Sequence, residues 1–303
     1  MAATPEKRRL QEEEACPLRV SDCQAPPLGH DRGLMKLVVV STLGAVHRYV
    51  ISEVARVHPP ALVIQPVALP PKRKALAARL RRLRESPGGV LREAVESRAR
   101  RARIERQESA LESALFDGAL PVIESVKVPV VALHAPPTVD LIQAAEPDVL
   151  LVSGAPVLRP EIFGLPRLAA INIHYGVAPD YRGEDTLFWA LANGDHDRLG
   201  LTIHAIERGV DSGRVFVQGT MARRGGESET ELWASAARLA SRLAIELLGR
   251  MAKKGACPKG AVQPPGGRQF YRRERTVLAE SRLWIRRALG ASPPPAAERV
   301  IWS

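Results

Sequence analysis

The sequence is short of cysteine, of aromatic residues and of long apolar runs. Its 303 residues include three cysteines, Cys16, Cys23 and Cys257, and 4% aromatic residues. Three scattered cysteines do not make a disulfide framework, and their spacing does not match a zinc site. We therefore expect a protein of the reducing cytoplasm. No apolar run reaches the ~18 residues of a membrane-spanning helix, and the N-terminus lacks the apolar core of a secretory signal.

Charge is unevenly distributed along the chain. The net charge is +11, and residues 72–106 hold 13 Lys and Arg against 4 Asp and Glu. Leucine, alanine and valine recur there at spacings of three and four, and the motif SPGG interrupts them. This pattern over 72–116 predicts two amphipathic helices with Arg-rich outer faces. Such a face either is simply solvated or binds an anionic partner such as a nucleotide or RNA.

Apolar runs alternate with amphipathic segments along most of the chain, and 45% of the residues are hydrophobic. Wholly apolar runs such as VLLVSG are typical of parallel strands buried on both faces. The alternation predicts an α/β protein with an open, mostly parallel sheet. Strands are predicted at 35–44, 61–69, 128–133, 149–154, 168–174, 199–207 and 213–221, and helices at 47–57, 138–148 and 230–252.

The same pattern predicts three regions. Residues 1–33 are polar, charged and aperiodic, which is typical of a mobile tail. Residues 34–222 contain the predicted sheet and the basic insertion 72–116, and are predicted to form the catalytic domain. Residues 223–303 contain the long helix, irregular sequence and one short basic helix. This C-terminal extension is too short and irregular for a second β-barrel domain.

The stretch INIHYGVAPDYRG, residues 171–183, combines a strand pattern with polar residues. Side chains alternate along a strand, so Asn172 and His174 point to the same face. Gly176 and Pro179 end the strand directly after His174, and ligands of α/β sheets bind at the carboxyl ends of strands. Either these residues form an active site or they are hydrogen-bonded polar residues in a core turn. Asp211, in a second polar turn, would raise the pKa of His174 if it came close.

Several motifs occur in a fixed order over about 70 residues. They are NIH (172–174), PDYRG (179–183), WALANGD (189–195), GLTIH (200–204) and DSG (211–213). Together they resemble the signature of folate-dependent formyltransferases, and SGAPVLRPEIF (153–163) is similar to the folate-pocket strand and loop of that family. The resemblance implies a Rossmann-like sheet of the formyltransferase type and 10-formyltetrahydrofolate as the formyl donor.

The resemblance also implies roles for particular residues. Asn172, His174 and Asp211 would form a catalytic trio: Asn172 and protonated His174 would donate to the oxyanion of the transition state, and Asp211 would keep His174 charged and help relay a proton. No metal is required. The pterin would be held mainly by backbone groups around Pro156, Val157, Leu158, Arg208, Gly209 and Val210.

The acceptor implied by the resemblance is the primary amine of a small molecule, such as a nucleotide-linked amino sugar. Gly176, Ala178 and Thr186 depart from the family pattern on the acceptor side. The turn after the first strand has one glycine, a weak signal for phosphate binding. Alternatives are methionyl-tRNA formylation, hydrolysis of the donor by water, and a non-enzymatic folate-binding or scaffold protein. The oligomeric state is left open.

Overall fold

The computed structural model describes residues 35–69 and 85–303. The predicted tail 1–33 and the first part of the basic insertion lie outside the described residues. Eight strands form the main sheet, in the order β10-β8-β7-β5-β4-β1-β2-β3, and β6 pairs with β9 in a second sheet of two strands. The strands are β1 (Leu37–Ser41), β2 (Leu62–Val67), β3 (Val126–Pro129), β4 (Val149–Ser153), β5 (Ala169–His174), β6 (Tyr181–Gly183), β7 (Gly200–Ala205), β8 (Val215–Thr220), β9 (Arg268–Phe270) and β10 (Arg299–Trp302).

The five strands from β5 to β3 are parallel, and β7, β8 and β10 extend the sheet with antiparallel pairs. The prediction of an open, mostly parallel sheet is therefore confirmed. Seven helices and three short 3-10 segments complete the described fold. The helices are α1 (Ala45–Val57), α2 (Pro87–Leu115), α3 (Pro136–Ala144), α4 (Pro160–Phe163), α5 (Thr186–Asn193), α6 (Glu229–Lys254) and α7 (Val277–Ala288), and the 3-10 segments are Val130–Ala132, His196–Arg198 and Arg272–Glu274.

Both faces of the parallel strands are covered, as their unbroken apolar sequences predict. Along β1, Leu37 and Val39 belong to one apolar cluster, which includes residues of α1 and α6. Val38 and Val40 belong to the other, which includes residues of α3 and α4. The alternation of side chains along the strand thus feeds two apolar layers, and the sheet between them fixes where each strand ends.

Two predicted elements differ from the structure. The apolar run at 128–133 was predicted as a strand, but β3 ends at Pro129 and the chain continues as a 3-10 helix. β3 is an edge strand, and Val131 is 82% exposed, so hydrophobicity there does not report burial. In the basic insertion, the described part of the predicted helix pair is the single 29-residue helix α2.

The C-terminal extension predicted at 223–303 is built into the fold. α6 lies in this region, yet its buried side chains, including Leu239 and Leu243, belong to the same apolar cluster as α1. β10 adds an edge to the main sheet beside β8, and β9 pairs with β6. Within residues 35–69 and 85–303, no helix is long and apolar enough to span a membrane.

Candidate active site

The last residues of β5 and their partners on β7 bring polar side chains to one face of the sheet. In the antiparallel register, Asn172 lies opposite His204 and His174 lies opposite Thr202. Directly paired residues share a face, so the Asn–His pair of one strand faces a histidine of the next. The Asn172 side-chain nitrogen is 3.3 Å from Nε2 of His204.

Asp211 reaches this face from the turn between β7 and β8. β7 runs opposite to β5, with Ala205 paired to Ile171, so this turn starts at the amino end of β5 and folds back over its face. Asp211 adopts a left-handed backbone conformation with φ +49°, and Gly209 nearby has φ +110°. The trio therefore meets above the strand face, because the turn reaches across it.

The carboxylate of Asp211 joins the predicted trio. Oδ2 lies 3.3 Å from Nδ1 of His174 and accepts a 2.8 Å hydrogen bond from the backbone N–H of Gly183. Oδ1 accepts a 3.1 Å bond from the side-chain amide of Asn172 and lies 3.3 Å from Nε2 of His204. The structure thus brings Asn172, His174 and Asp211 together and adds His204, the last residue of the motif GLTIH, to which the sequence analysis assigned no role.

Burial sets the protonation of this cluster. The side chain of His174 is 6% exposed and that of Asp211 is 11% exposed. Burial lowers the pKa of His174 below its ordinary value, and the attraction of Asp211 only partly opposes this. The sequence-based expectation of a raised His174 pKa is therefore wrong. For Asp211, burial acts to raise the pKa, but the His174 charge, His204 and the Gly183 N–H outweigh it and hold the pKa well below its usual range.

The second nitrogen of His174 faces a backbone carbonyl. Nε2 is 2.7 Å from the oxygen of Tyr181. A Cβ added at Gly176 would lie 2.5 Å from this oxygen and 2.6 Å from Nε2. The glycine is therefore required for the approach of Tyr181 to His174, and it is one of the positions at which the sequence departs from the family pattern.

The six residues predicted to hold the pterin lie in two segments. Pro156, Val157 and Leu158 follow β4, with Leu158 buried and Val157 71% exposed. Arg208, Gly209 and Val210 lie in the turn that carries Asp211, and the first two are exposed. Among the described residues, no hydrogen bond joins the two segments. Their assignment to folate therefore stays a prediction.

The turn after β1 binds a carboxylate of the protein itself. Oε2 of Glu108, from α2, accepts a 2.7 Å hydrogen bond from the backbone N–H of Ala45, the first residue of α1. The N-terminus of a helix is where an anionic group such as a phosphate would bind. Glu108 takes this position, and a Cβ at Gly44 would lie 3.1 Å from its Oε1.

Fold and site together define an α/β protein with an amide, two imidazoles and a carboxylate at the end of a central strand. Residues 105–248 match the family model described as formyl transferase. The matched segment includes Asn172, His174, His204 and Asp211. The predicted family resemblance is thereby confirmed.

Two of the curated proteins that this chain resembles are methionyl-tRNA formyltransferases. A methionyl-tRNA formyltransferase of Chlorobium chlorochromatii (strain CaD3) is 32% identical over 124 residues, which are 41% of this chain and 39% of that protein. One of Ralstonia nicotianae is 29% identical over 157 residues, or 51% of this chain and 47% of that protein. The matches span less than half the length of these relatives.

Among solved structures, glycinamide ribonucleotide transformylase 1 from Symbiobacterium toebii superimposes with a TM-score of 0.48 and 16% identity, covering 80% of this chain and 99% of that one. The family assignment rests on the sequence match and the site geometry, and not on this superposition.

Proposed function

We propose that this chain transfers a formyl group from 10-formyltetrahydrofolate to a primary amine, in the cytoplasm. The observation that carries the proposal is the meeting of Asp211 with the side chains of Asn172 and His174 inside the segment that matches the family. A shared polar cluster of this kind supplies both a donor for a developing oxyanion and a route for a proton.

The proposed reaction begins when the amine attacks the formyl carbon, and the formyl oxygen becomes an oxyanion. Asn172 is the proposed donor to this oxygen. The amide nitrogen of Asn172 donates to Asp211 and lies 3.3 Å from Nε2 of His204. Substrate binding therefore has to turn one of its N–H groups towards the oxyanion. A donor that acts on charge present only near the transition state accelerates the reaction by ~10²–10³-fold.

His174 is the proposed proton carrier. Because burial lowers its pKa, the ring is available as a base for the proton that the attacking amine loses. Asp211 and the Tyr181 carbonyl then face the two ring nitrogens of the imidazolium. The proton passes on to N10 of the folate as the bond from the formyl carbon to N10 breaks. The products are the formamide and tetrahydrofolate, with no net change in protons.

A nucleotide-linked amino sugar remains our preferred acceptor. The carboxylate of Glu108 at the N-terminus of α1 disfavours an acceptor whose phosphate would bind there, because two anions would compete for the same N–H groups. This argues against glycinamide ribonucleotide if its phosphate binds at this turn, and it requires a nucleotide-linked sugar to place its own phosphates elsewhere.

The test is to incubate the protein with 10-formyltetrahydrofolate and, separately, UDP-linked 4-amino sugars, glycinamide ribonucleotide, methionyl-tRNA or no acceptor. Tetrahydrofolate release is followed by absorbance and the formylated product by mass spectrometry. We expect an amino sugar to give both signals and His174→Ala to give neither. Release without acceptor at the full rate would indicate a hydrolase. Folate binding with no turnover for any acceptor would indicate a binding or scaffold protein.

A second candidate acceptor, methionyl-tRNA, is favoured by the names of the relatives and by α2, where Arg98 and Arg101 are exposed. If tRNA binds there, the double variant Arg98→Glu, Arg101→Glu lowers tRNA affinity and reduces the slope of log affinity against log salt by about 2. Folate binding stays unchanged. An unchanged salt dependence in the variant contradicts a nucleic-acid role for α2.

A further inference from the structure

A glutamine outside the family match contacts the turn of Asp211. Gln263 follows α6, beyond residues 105–248. Its Nε2 donates to the backbone carbonyl of Asp211 at 2.9 Å and to that of Gly213 at 2.8 Å. Its Oε1 accepts a 2.9 Å hydrogen bond from the guanidinium of Arg182. One side chain thus holds both sides of Ser212 and links them to β6.

The turn that Gln263 contacts has an unfavourable backbone conformation at Asp211 and a close backbone approach at Gly213. Asp211 is in the left-handed region at φ +49°, which is unfavourable for a residue with a Cβ by on the order of 1 kcal/mol. Gly213 packs so closely on β7 that a Cβ there would lie 1.9 Å from the carbonyl oxygen of Ala205. Such a conformation persists only where surrounding contacts hold it, and the two donated bonds of Gln263 are such contacts.

The same segment of chain also positions a second partner of the carboxylate. β9 pairs with β6, and a Cβ at Gly183 would lie 2.1 Å from the backbone oxygen of Phe270. The backbone N–H of Gly183, at this point of contact, donates to Asp211 Oδ2. The ring of Phe270 stacks between Tyr181 and Trp189, at 5.2 Å from each. Residues after α6 therefore hold the Asp211 backbone and its carboxylate partner.

We propose that Gln263 is a positioning residue for catalysis, which fixes the carboxylate of Asp211 against His174 through the carbonyls of Asp211 and Gly213. The inference rests on the proposed function, and it gives one side chain beyond the matched segment a part in positioning the active site. Gln263 itself touches no reacting atom in this scheme. Its effect passes through the orientation of one carboxylate.

The test compares Gln263→Met and Gln263→Glu with Gln269→Met. Methionine keeps the length of the side chain but donates nothing. Glutamate still accepts from Arg182 but cannot donate to the two carbonyls. Gln269, on β9, is an exposed amide of the same type and serves as the matched control. The assay is release of tetrahydrofolate from 10-formyltetrahydrofolate with the acceptor that supports turnover.

We expect both Gln263 variants to lower kcat by ~10–100-fold, because a misplacement of about 1 Å costs up to ~10²-fold. KM for the donor should change less than twofold, and the control should match the unaltered protein. A second readout needs no acceptor: the titration of His174 followed by NMR in the free protein. Loss of the Asp211 contact removes an attraction that raises the His174 pKa, so this pKa should fall further in Gln263→Met, which adds no charge. Gln263→Glu adds a negative charge that acts in the opposite direction, so kcat is its readout.

The outcomes separate the two proposals. An unchanged kcat in Gln263→Glu, or an unchanged kcat and His174 titration in Gln263→Met, overturns the positioning role while the proposed function stands, provided that His174→Ala is inactive. If His174→Ala retains full activity, the proposed function fails instead. Should Gln263→Met not fold, the kcat of Gln263→Glu tests the positioning role. Equal loss of kcat in Gln269→Met would also overturn the inference.

Discussion

Two buried clusters of charged side chains differ in what they hold. The Asp211 cluster comprises Asp211, His174, His204 and Asn172. The Arg275 cluster surrounds the guanidinium of Arg275, which is 1% exposed and lies 2.9–3.3 Å from Glu229 and Asp185. Glu280 also contacts this guanidinium, and Arg275 lies 3.9 Å from the ring centre of Phe188. One cluster places a carboxylate among imidazoles, and the other places a guanidinium among carboxylates.

The two clusters differ in whether their central group can gain and lose a proton. Burial acts to lower the pKa of Arg275, but Glu229, Glu280 and Asp185 raise it above its ordinary value, so the guanidinium keeps its charge at any working pH. At His174, burial and the Asp211 carboxylate act in opposite directions on the pKa. The Arg275 cluster can therefore only bind segments together, whereas the Asp211 cluster can gain and lose a proton during a reaction.

The largest expected effect is on activity, from Asp211→Asn. The amide keeps the size of the side chain but removes the charge that stabilises protonated His174, so we expect kcat to fall by at least ~10³-fold with the fold intact. Steady-state kinetics and circular dichroism measure this. Asp180→Asn is the control, since Asp180 is a carboxylate 42% exposed and paired with Arg198. Near-normal turnover in Asp211→Asn would remove the distinction between the two clusters.

The next effect is on stability, from Arg275→Met. Removal of the guanidinium leaves the half-buried carboxylates of Glu229, Glu280 and Asp185 without their shared counter-charge, which should lower the free energy of unfolding by about 3 kcal/mol. Urea denaturation measures it. Arg56→Met is the control, because Arg56 is 72% exposed in its pair with Glu53 and such pairs contribute ~0–1 kcal/mol. An equal, small loss in both variants would show that the Arg275 cluster is not a structural support.

The half-buried imidazole of His47 has no ion pair with a carboxylate among the described residues, and it differs from His174 in this respect. Nδ1 of His47 lies 2.9 Å from Oγ of Ser153, and burial lowers the pKa of His47 to about 4. Since this is below the value of the unfolded chain, the unfolded state binds the proton more tightly. Stability from this source is complete above about pH 6.5 and is lost as the pH falls towards 4, by up to ~3 kcal/mol.

The variant His47→Asn tests that expectation. Its free energy of unfolding should depend less steeply on pH between 6.5 and 4 than that of the unaltered protein, as measured by urea denaturation at several pH values. The comparison concerns the slopes, so a uniform loss of stability does not affect it. Parallel curves for the two proteins would contradict the assignment of this pH dependence to His47.

The smallest expected effect comes from Gly176→Ala. An added Cβ would meet the Tyr181 oxygen and Nε2 of His174, so the ring or the carbonyl has to move by a few tenths of an ångström or more. We expect kcat to fall by ~10-fold, and the overpacking to lower the free energy of unfolding by ~1–3 kcal/mol. Steady-state kinetics decide this, and Gly88→Ala is a control for stability alone, because Gly88 lies in α2 and a Cβ there meets no atom within 4 Å. Unchanged kcat in Gly176→Ala would mean that the close approach of Tyr181 is not needed.

Periodicity in the sequence predicts the sheet, and the family resemblance implies the trio. Apolar runs such as LVVVS and VLLVS predict strands buried on both faces, because the side chains that point to either face are apolar. β1 and β4 are buried throughout. The period of two placed Asn172 and His174 on one face. The order of the motifs then indicated Asp211.

The residues that surround the trio are brought there by tertiary packing. His204 joins it through strand register, Gln263 through a fold-back of irregular chain, and Glu108 through the packing of α2 on α1. The sign of the His174 pKa shift also depends on burial, which competes with the nearby carboxylate. Local sequence encodes periodicity and turns, but distances between residues far apart in the chain, and the exclusion of water between them, arise only when the layers pack.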